Sequence, residues 1–327
     1  MAVIYGETVK TDEYLIIYLD SLRINSVLNF DLYIKKAGEY ILYRSARLPF
    51  EEKNRQNLLD NNIDRLYIPL DNRRNYQEYI EGNIREIIED PQIKESTKAG
   101  IVYDSAKLLV KDVLNNPTLG ENIKRSQAMV EATVTLILRG QSAFHNLLRV
   151  MSFDYYTYTH SVNVCTFSLA LARYIGIENV RELNDLGTGA LLHDVGKTKI
   201  SETILNKRGP LTKSEMQLVK KHPRWGCDII KETDIINPES YFPVIEHHER
   251  ENGSGYPNGI GADKTHAYSK IVAIADVFDA MTTKRVYRDA MAAFPALKTM
   301  FDDKGAFDKH LLEHFTRLMG PSKLSDL

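Results

Sequence analysis

The stretch Leu191-Leu192-His193-Asp194-Val195-Gly196-Lys197 sets an imidazole, a carboxylate and an ammonium side by side where an apolar helix gives out. A neutral imidazole and an ionised carboxylate both ligate divalent metals, and the two oxygens of Asp194 let it bind one ion or bridge two. Lys197 cannot ligate while charged, but it can hold a phosphate oxygen. A single His-Asp pair at a helix end has a plainer explanation: a dipole-stabilised histidine, a solvated carboxylate and Gly196 as a left-handed stop. That explanation weakens because His160, His222, His247 with His248, and Asp276 recur on separate expected helices.

The elements that carry these residues follow from local spacing. His160 lies one turn before Val164, and Phe167, Leu171 and Tyr174 continue the stripe, so its side chain faces the core. Gly176 is expected to stop that helix. Leu183, Leu186 and Ala190 lead at helical spacing to His193, which places it inward too. Thr212-Lys213-Ser214-Glu215 fits a capping box that starts a helix running towards His222. Pro223 pushes His222 out of the α region, so this histidine belongs at a break between two helices. Adjacent imidazoles such as His247 and His248 are separated by about 100° on a helix and reach one ion only from a helix end or an irregular turn, which Gly253, Gly255 and Pro257 supply. Ser269 to Thr282 reads as a helix with Ile271, Ala275 and Phe278 inward and Asp276 and Asp279 on flanking positions, where an isolated aspartate is normally solvated.

Each of these residues has a structural explanation by itself, but five of the nine histidines and two aspartates would need separate ones. Together His160, His193, Asp194, His222, His247, His248 and Asp276 suffice to hold two divalent ions bridged by Asp194. Mixed imidazole and carboxylate ligation without thiolate favours Fe or Mn over structural zinc. Bridged ions roughly 3.5–4 Å apart generate a hydroxide at neutral pH and clamp a phosphoryl group for in-line displacement. The chemistry so defined is phosphoester hydrolysis.

The rest of the chain bounds this reading. Its 327 residues allow two domains, and 43% apolar with 26% charged content is ordinary globular material. Residues 1–75 contain short Tyr- and Ile-rich runs (14–19, 30–34, 40–43 and 65–68) and a helix from Pro49 to about Asn61, the pattern of a small α+β domain. From Tyr76 the apolar spacing becomes helical, with Tyr76, Tyr79, Ile80, Ile84, Ile87 and Ile88 in one stripe that Pro91 interrupts. Residues 76–140 therefore read as a helical connector, also a candidate seam for a homodimer, and 141–327 as a helical domain carrying the polar cluster. The expected fold class is mainly α. A net charge of −2 with interspersed signs argues against a long nucleic acid as partner. The chain has no apolar run near the roughly eighteen residues of a membrane span and no leader-like N-terminus, and Cys165 and Cys227 read as buried thiols, so a cytoplasmic location without membrane insertion is expected.

These motifs resemble the HD-GYP family of the HD phosphohydrolase superfamily. The resemblance rests on His160, His193-Asp194-Val195-Gly196-Lys197, His222-Pro223 with Gly226, His247-His248-Glu249 through Gly255-Tyr256-Pro257, Ile274-Ala275-Asp276 through Thr282, and Arg285-Val286-Tyr287-Arg288, and it spans roughly residues 145–320. It implies an all-helical HD-type catalytic domain that hydrolyses cyclic di-GMP to pGpG, and in many members onward to GMP, by a hydroxide bridging two metal ions. Carried over residue by residue, it implies that His160, His193, Asp194 and Asp276 hold one ion and Asp194, His222, His247 and His248 the other. Lys197 would act on the scissile phosphate or leaving oxygen. Arg285 would contact phosphate or guanine, and Gly255, Tyr256 and Pro257 would shape the substrate loop. The residues before His160 carry Tyr156 where some relatives place a third-metal glutamate, so a binuclear site is expected. Asn252 replaces an aspartate usual in the loop, and residues 264–270 depart from the usual lead into the Asp276 helix. The alternative to turnover is a catalytically slow receptor for cyclic di-GMP that signals through its N-terminal domain.

Overall fold

The computed structural model describes residues 13–118, 120–151, 157–207, 209–284 and 289–320, and divides into two compact units, one ending at Ser105 and the other starting at Ala106. In the first, strands β1 (Tyr14–Tyr18), β2 (Ser26–Val27), β3 (Leu32–Lys36), β4 (Glu39–Arg44) and β5 (Pro49–Phe50) precede helix α1 (Glu52–Asp60) and strand β6 (Arg65–Pro69). The sheet order is β1-β6-β3-β4, antiparallel throughout, with β2 and β5 as a separate ribbon. The β1/β6 register sets Leu15 opposite Ile68 and Ile17 opposite Leu66, so alternation sends the buried Ile17, Leu66 and Ile68 to one face. The other face collects Tyr14, Tyr33, Tyr40 and Tyr67, with Tyr14 and Tyr40 stacked at 4.1 Å. Helix α2 (Arg73–Glu89) buries Tyr76, Ile80, Ile84, Ile87 and Ile88, the stripe its spacing predicts, and ends just before Pro91. The two-residue ribbon was not foreseen, because pairs that short leave no periodicity. The boundary between the units falls within α3 (Glu95–Asn115).

Among its described residues the second unit is helical: α4 (Gly120–Ile137), α5 (Gln141–Val150), α6 (Thr157–Tyr174), α7 (Val180–Leu192), α8 (Glu202–Leu205), α9 (Lys213–Val219), α10 (His222–Lys231), α11 (Tyr241–Glu246), α12 (Ala267–Thr282), α13 (Ala293–Asp302) and α14 (Lys309–Met319). Every residue of α6 from Thr159 to Ala172 is buried, which makes it the central helix. Phe167 of α6, Phe278 of α12 and Phe315 of α14 meet edge to face at 5.3, 5.9 and 5.0 Å. Burial of each ring stabilises by roughly 1.5–3 kcal/mol, and the trio holds α6 against the helix that carries Asp276. Helix α7 lies so close to α4 that a Cβ on Gly187 would meet Val130 Cγ1 at 2.6 Å. Among the described residues no helix is long and apolar enough to cross a membrane.

Candidate metal centre

Seven side chains from α6, the end of α7, the start of α10, the end of α11 and the middle of α12 converge. All are buried except His248, which is half-buried. Five of them are delivered by local devices legible in the chain. Asn179 caps α7 by accepting from the amides of Arg181 and Glu182, and α7 then runs to Leu192 and releases His193 and Asp194 at its end. Thr212 and Glu215 form the expected capping box of α9, which stops at Val219, so that His222 opens α10 with Pro223 behind it. Helix α11 ends at Glu246, with His247 as a C-cap still in the α region and His248 just beyond it. Gly196 does not act as a left-handed stop. It lies in a 3-10 turn, and a Cβ there would run into the His222 carbonyl and come within 2.5 Å of Gly226 N, so its missing side chain lets the segments carrying Asp194 and His222 touch backbone to backbone.

The hydrogen bonds settle which ring nitrogens face inward. His193 Nδ1 donates to Ala190 O at 2.7 Å, His222 Nδ1 to Val219 O at 2.7 Å, and His247 Nδ1 to Pro243 O at 2.9 Å. A carbonyl only accepts, so each neutral ring keeps its proton on Nδ1 and turns a bare Nε2 lone pair towards Asp194. His193 Nε2 lies 3.3 Å from Asp194 Oδ2, and His222 Nε2 and His247 Nε2 lie 3.2 and 3.9 Å from Asp194 Oδ1. On the other side His160 Nδ1 donates to Asp279 Oδ2 at 2.6 Å while its Nε2 stands 3.1 Å from Asp276 Oδ1 and 3.7 Å from Asp194 Oδ2. His248 Nδ1 is 3.6 Å from Asp276 Oδ2. The donor atoms fall into two groups that share Asp194 as neighbour: His160, His193 and Asp194, and His222, His247 and His248.

This arrangement fits divalent cations on its own chemistry. The Nε2 atoms of His222 and His247 face each other at 3.1 Å while both rings donate through Nδ1 to backbone carbonyls, and among the described residues His193 Nε2 and Asp194 Oδ1 are buried without a hydrogen-bond partner. Electron-rich atoms converging in the interior repel unless a positive charge sits among them. Burial and the neighbouring imidazoles hold His247 well below its ordinary value. His248 is likewise pushed well down by burial, so both stay neutral and able to ligate. Burial alone would raise Asp194, but the Lys197 ammonium and His193 override it and keep the carboxyl well below the usual range. Burial would lower His160, yet Asp276 and Asp279 raise it to about 10. A divalent cation would take the proton's place on its Nε2. The cluster can therefore hold divalent metal.

Lys197 reaches back one turn to donate to Asp194 Oδ2 at 2.5 Å. The loop from Gly253 to Ile260 packs on the ligand segment itself: a Cβ on Gly255 would sit 2.5 Å from His248 O, Tyr256 N donates to His248 O at 3.2 Å, and the Tyr256 ring lies 4.6 Å from that of His248. Arg285 and Tyr156 lie outside the described residues.

Three buried carboxylates escaped the sequence reading. Asp279, expected on a solvated flank, is instead fully buried and accepts from His160, Asn163 Nδ2 and Thr283 Oγ1, because its side of α12 packs against α6. Glu246 accepts from His266 N and Ser269 Oγ, which ties the ligand pair to the start of α12. Glu249 accepts from Asn258 N at 2.7 Å and Ile260 N at 3.1 Å, which pins the loop. The signal available was their spacing: Asp279 stands three residues after Asp276, and Glu246 and Glu249 flank the histidine pair.

The HD domain family profile matches residues 148–311, half of the sequence and all seven converging residues. The chain belongs to the HD domain family. Among curated proteins it is 32% identical over 231 residues to the cyclic di-GMP phosphodiesterase PA4108 of Pseudomonas aeruginosa, covering 69% of this chain and 55% of that one. It is 29% identical over 217 residues to the 3'3'-cGAMP-specific phosphodiesterase 3 of Vibrio cholerae, covering 66% and 43%. The chain thus spans about half the length of these relatives. Among solved structures, Bd1817, an HDG"Y"P protein from Bdellovibrio bacteriovorus, superposes with a TM-score of 0.65 at 23% identity over 94% of this chain and 99% of that one, a likeness of fold.

Proposed function

We propose that this protein hydrolyses a phosphodiester bond of cyclic di-GMP, giving linear pGpG and then GMP. The observation that carries the reading is the set of bare imidazole nitrogens turned on the two oxygens of a buried, ionised Asp194. Two divalent cations, iron or manganese, would supply Lewis acidity and activate a water. His160, His193, Asp194 and Asp276 would hold one cation, and Asp194, His222, His247 and His248 the other. Lys197, at the rim of the bridging carboxylate, would neutralise the scissile phosphate and offer a proton to the leaving oxygen. The Gly255-Tyr256-Pro257 loop, seated on His248, would fix the substrate's orientation, and Arg285 is assigned to phosphate or guanine by the motif resemblance alone. The names of the relatives support a cyclic dinucleotide as substrate, and two buried free thiols accord with a reducing cytoplasm. Residues 1–75 are assigned a regulatory or dimerising role and 76–140 a connecting one.

The deciding assay incubates purified protein with Mn or Fe and either cyclic di-GMP or 3'3'-cGAMP, resolves the nucleotides by chromatography and counts metal on the same sample. Metal-dependent pGpG or GMP is expected from cyclic di-GMP. A metal-replete sample that binds this nucleotide without cleaving it would make the protein a receptor, and cleavage of 3'3'-cGAMP alone would reassign the substrate.

A further inference from the structure

Among the described residues, Lys220 and Arg224 at the tip of the substrate loop have no carboxylate to neutralise them. Lys220, in the last turn before His222, holds its Nζ 5.1 Å from the centre of the Tyr256 ring, and that same ring lies 4.6 Å from His248. Arg224, one residue beyond Pro223, donates through Nη2 to Asn258 Oδ1 at 2.9 Å and Pro257 O at 3.3 Å, both neutral acceptors. Among the described residues neither side chain has an ion-pair partner. Lys197, by contrast, is already committed to Asp194. The loop tip Tyr256-Pro257-Asn258 is thus bracketed by unneutralised positive charge on a rim that begins one aromatic ring away from a metal-ligand candidate.

An ammonium held over a phenol ring and left without a counter-ion is free to accept an anion, and charge-assisted bonds to phosphate are the strong ones. A cyclic dinucleotide carries two phosphodiesters, and only one can occupy the metal pocket at a time. We infer that Lys220 receives the second phosphate of the cyclic dinucleotide, with Arg224 as the positioning residue that holds the tip in place. This rests on the cyclic-dinucleotide reading above and adds to it a selection rule: the site prefers diesters that carry a second phosphate over those with one.

The test uses the full chain loaded with Mn and a bis-phosphorothioate analogue of cyclic di-GMP that resists cleavage. Affinity is measured by calorimetry for the unaltered protein, Lys220→Ala and Lys220→Arg, beside hydrolysis of the single-phosphate ester bis(p-nitrophenyl) phosphate. Lys220→Ala should weaken the analogue roughly tenfold or more, the scale of one charge-assisted contact, Lys220→Arg should restore most of the affinity, and the single-phosphate ester should be cleaved at an unchanged rate. Arg224→Ala should speed amide exchange at Asn258 and Ile260, whereas Lys220→Ala should not. Unchanged affinity in Lys220→Ala, or a parallel fall with both ligands, overturns the assignment. Turnover of natural cyclic di-GMP by the unaltered protein is read separately, so that binding without cleavage sinks the hydrolase while affinity still decides Lys220. No binding at all sinks both.

Discussion

His222 and His247 direct their Nε2 atoms at one another across 3.1 Å, and each ring donates through Nδ1 to a backbone carbonyl. Packing pays for this opposition, and a cation between the rings relieves it. Chelation should therefore lower the unfolding temperature of the HD unit by roughly 5–10 °C, the effect expected of losing a ligand at about a hundredfold excess over its Kd. Readdition of Mn should restore it. Scanning calorimetry with and without chelator reads the shift, and equal midpoints would show that no cation sits there.

Asp279 touches none of the inward-facing nitrogens, yet it orients His160 through Nδ1 and is itself held by Asn163 and Thr283. In Asp279→Asn a neutral amide replaces the charged acceptor. Loss of such a partner typically weakens metal binding about 10- to 100-fold. Competition with a metal-sensitive dye should find this loss with the fold intact by circular dichroism, and an unchanged metal affinity would count against the role.

Lys197→Ala removes an ammonium 2.5 Å from the Asp194 carboxylate without removing any of the seven converging side chains. Turnover should fall about a hundredfold, the scale of one lost electrostatic contact to the transition state, while the metal-to-protein ratio stays at its original value. Steady-state kinetics and elemental analysis on one preparation separate the two readouts. Full activity in the variant would remove Lys197 from the mechanism.

Glu215 supplies a pH signature away from the metal. Its carboxylate accepts from Lys207 Nζ and from Thr212 N, and these bonds lower it from 4.5 to about 2. A depressed acid contributes stability above its unfolded value, and that contribution disappears as the pH falls through the folded one. The α9 cap should therefore survive at pH 4 and be lost towards pH 2, which a carboxyl-carbon NMR titration of Glu215 would follow. A midpoint near 4.5 would mean that the capping box does not form in solution.

The sequence showed best what is set within a turn or two. The stripe through His160, the Thr212 box, the break between α9 and α10 and the end of α11 before His248 are local, and the structure has each of them. His222, however, is the first residue of α10 and is not pushed out of the α region by Pro223, which as the second helical residue needs no amide bond of its own. What local spacing cannot show is which flank of a helix meets a neighbour. Asp279 looked solvent-facing because nothing within α12 says that α6 lies against it. Glu246 and Glu249 sit among charged neighbours, and nothing in their local spacing marks them as the buried acceptors they are. Asn252 looked like a lost loop-fixing charge. Its Oδ1 nevertheless accepts from Ser254 N and Oγ at 3.0 and 2.6 Å, so a neutral amide does the fixing. In the stretch 264–270, which departs from the family pattern, His266 caps α12 through Nδ1 and stacks on Phe242 at 4.3 Å.

Gly196 gives the pocket its gauge. Because the peptide there abuts the His222 carbonyl directly, the gap between Asp194 and His222 is measured out by main chain rather than by any adjustable rotamer. A single methyl group at this position would act as a shim, widening the cradle without touching one donor atom, and the protein would keep every reactive group while losing the dimension that lets them act together.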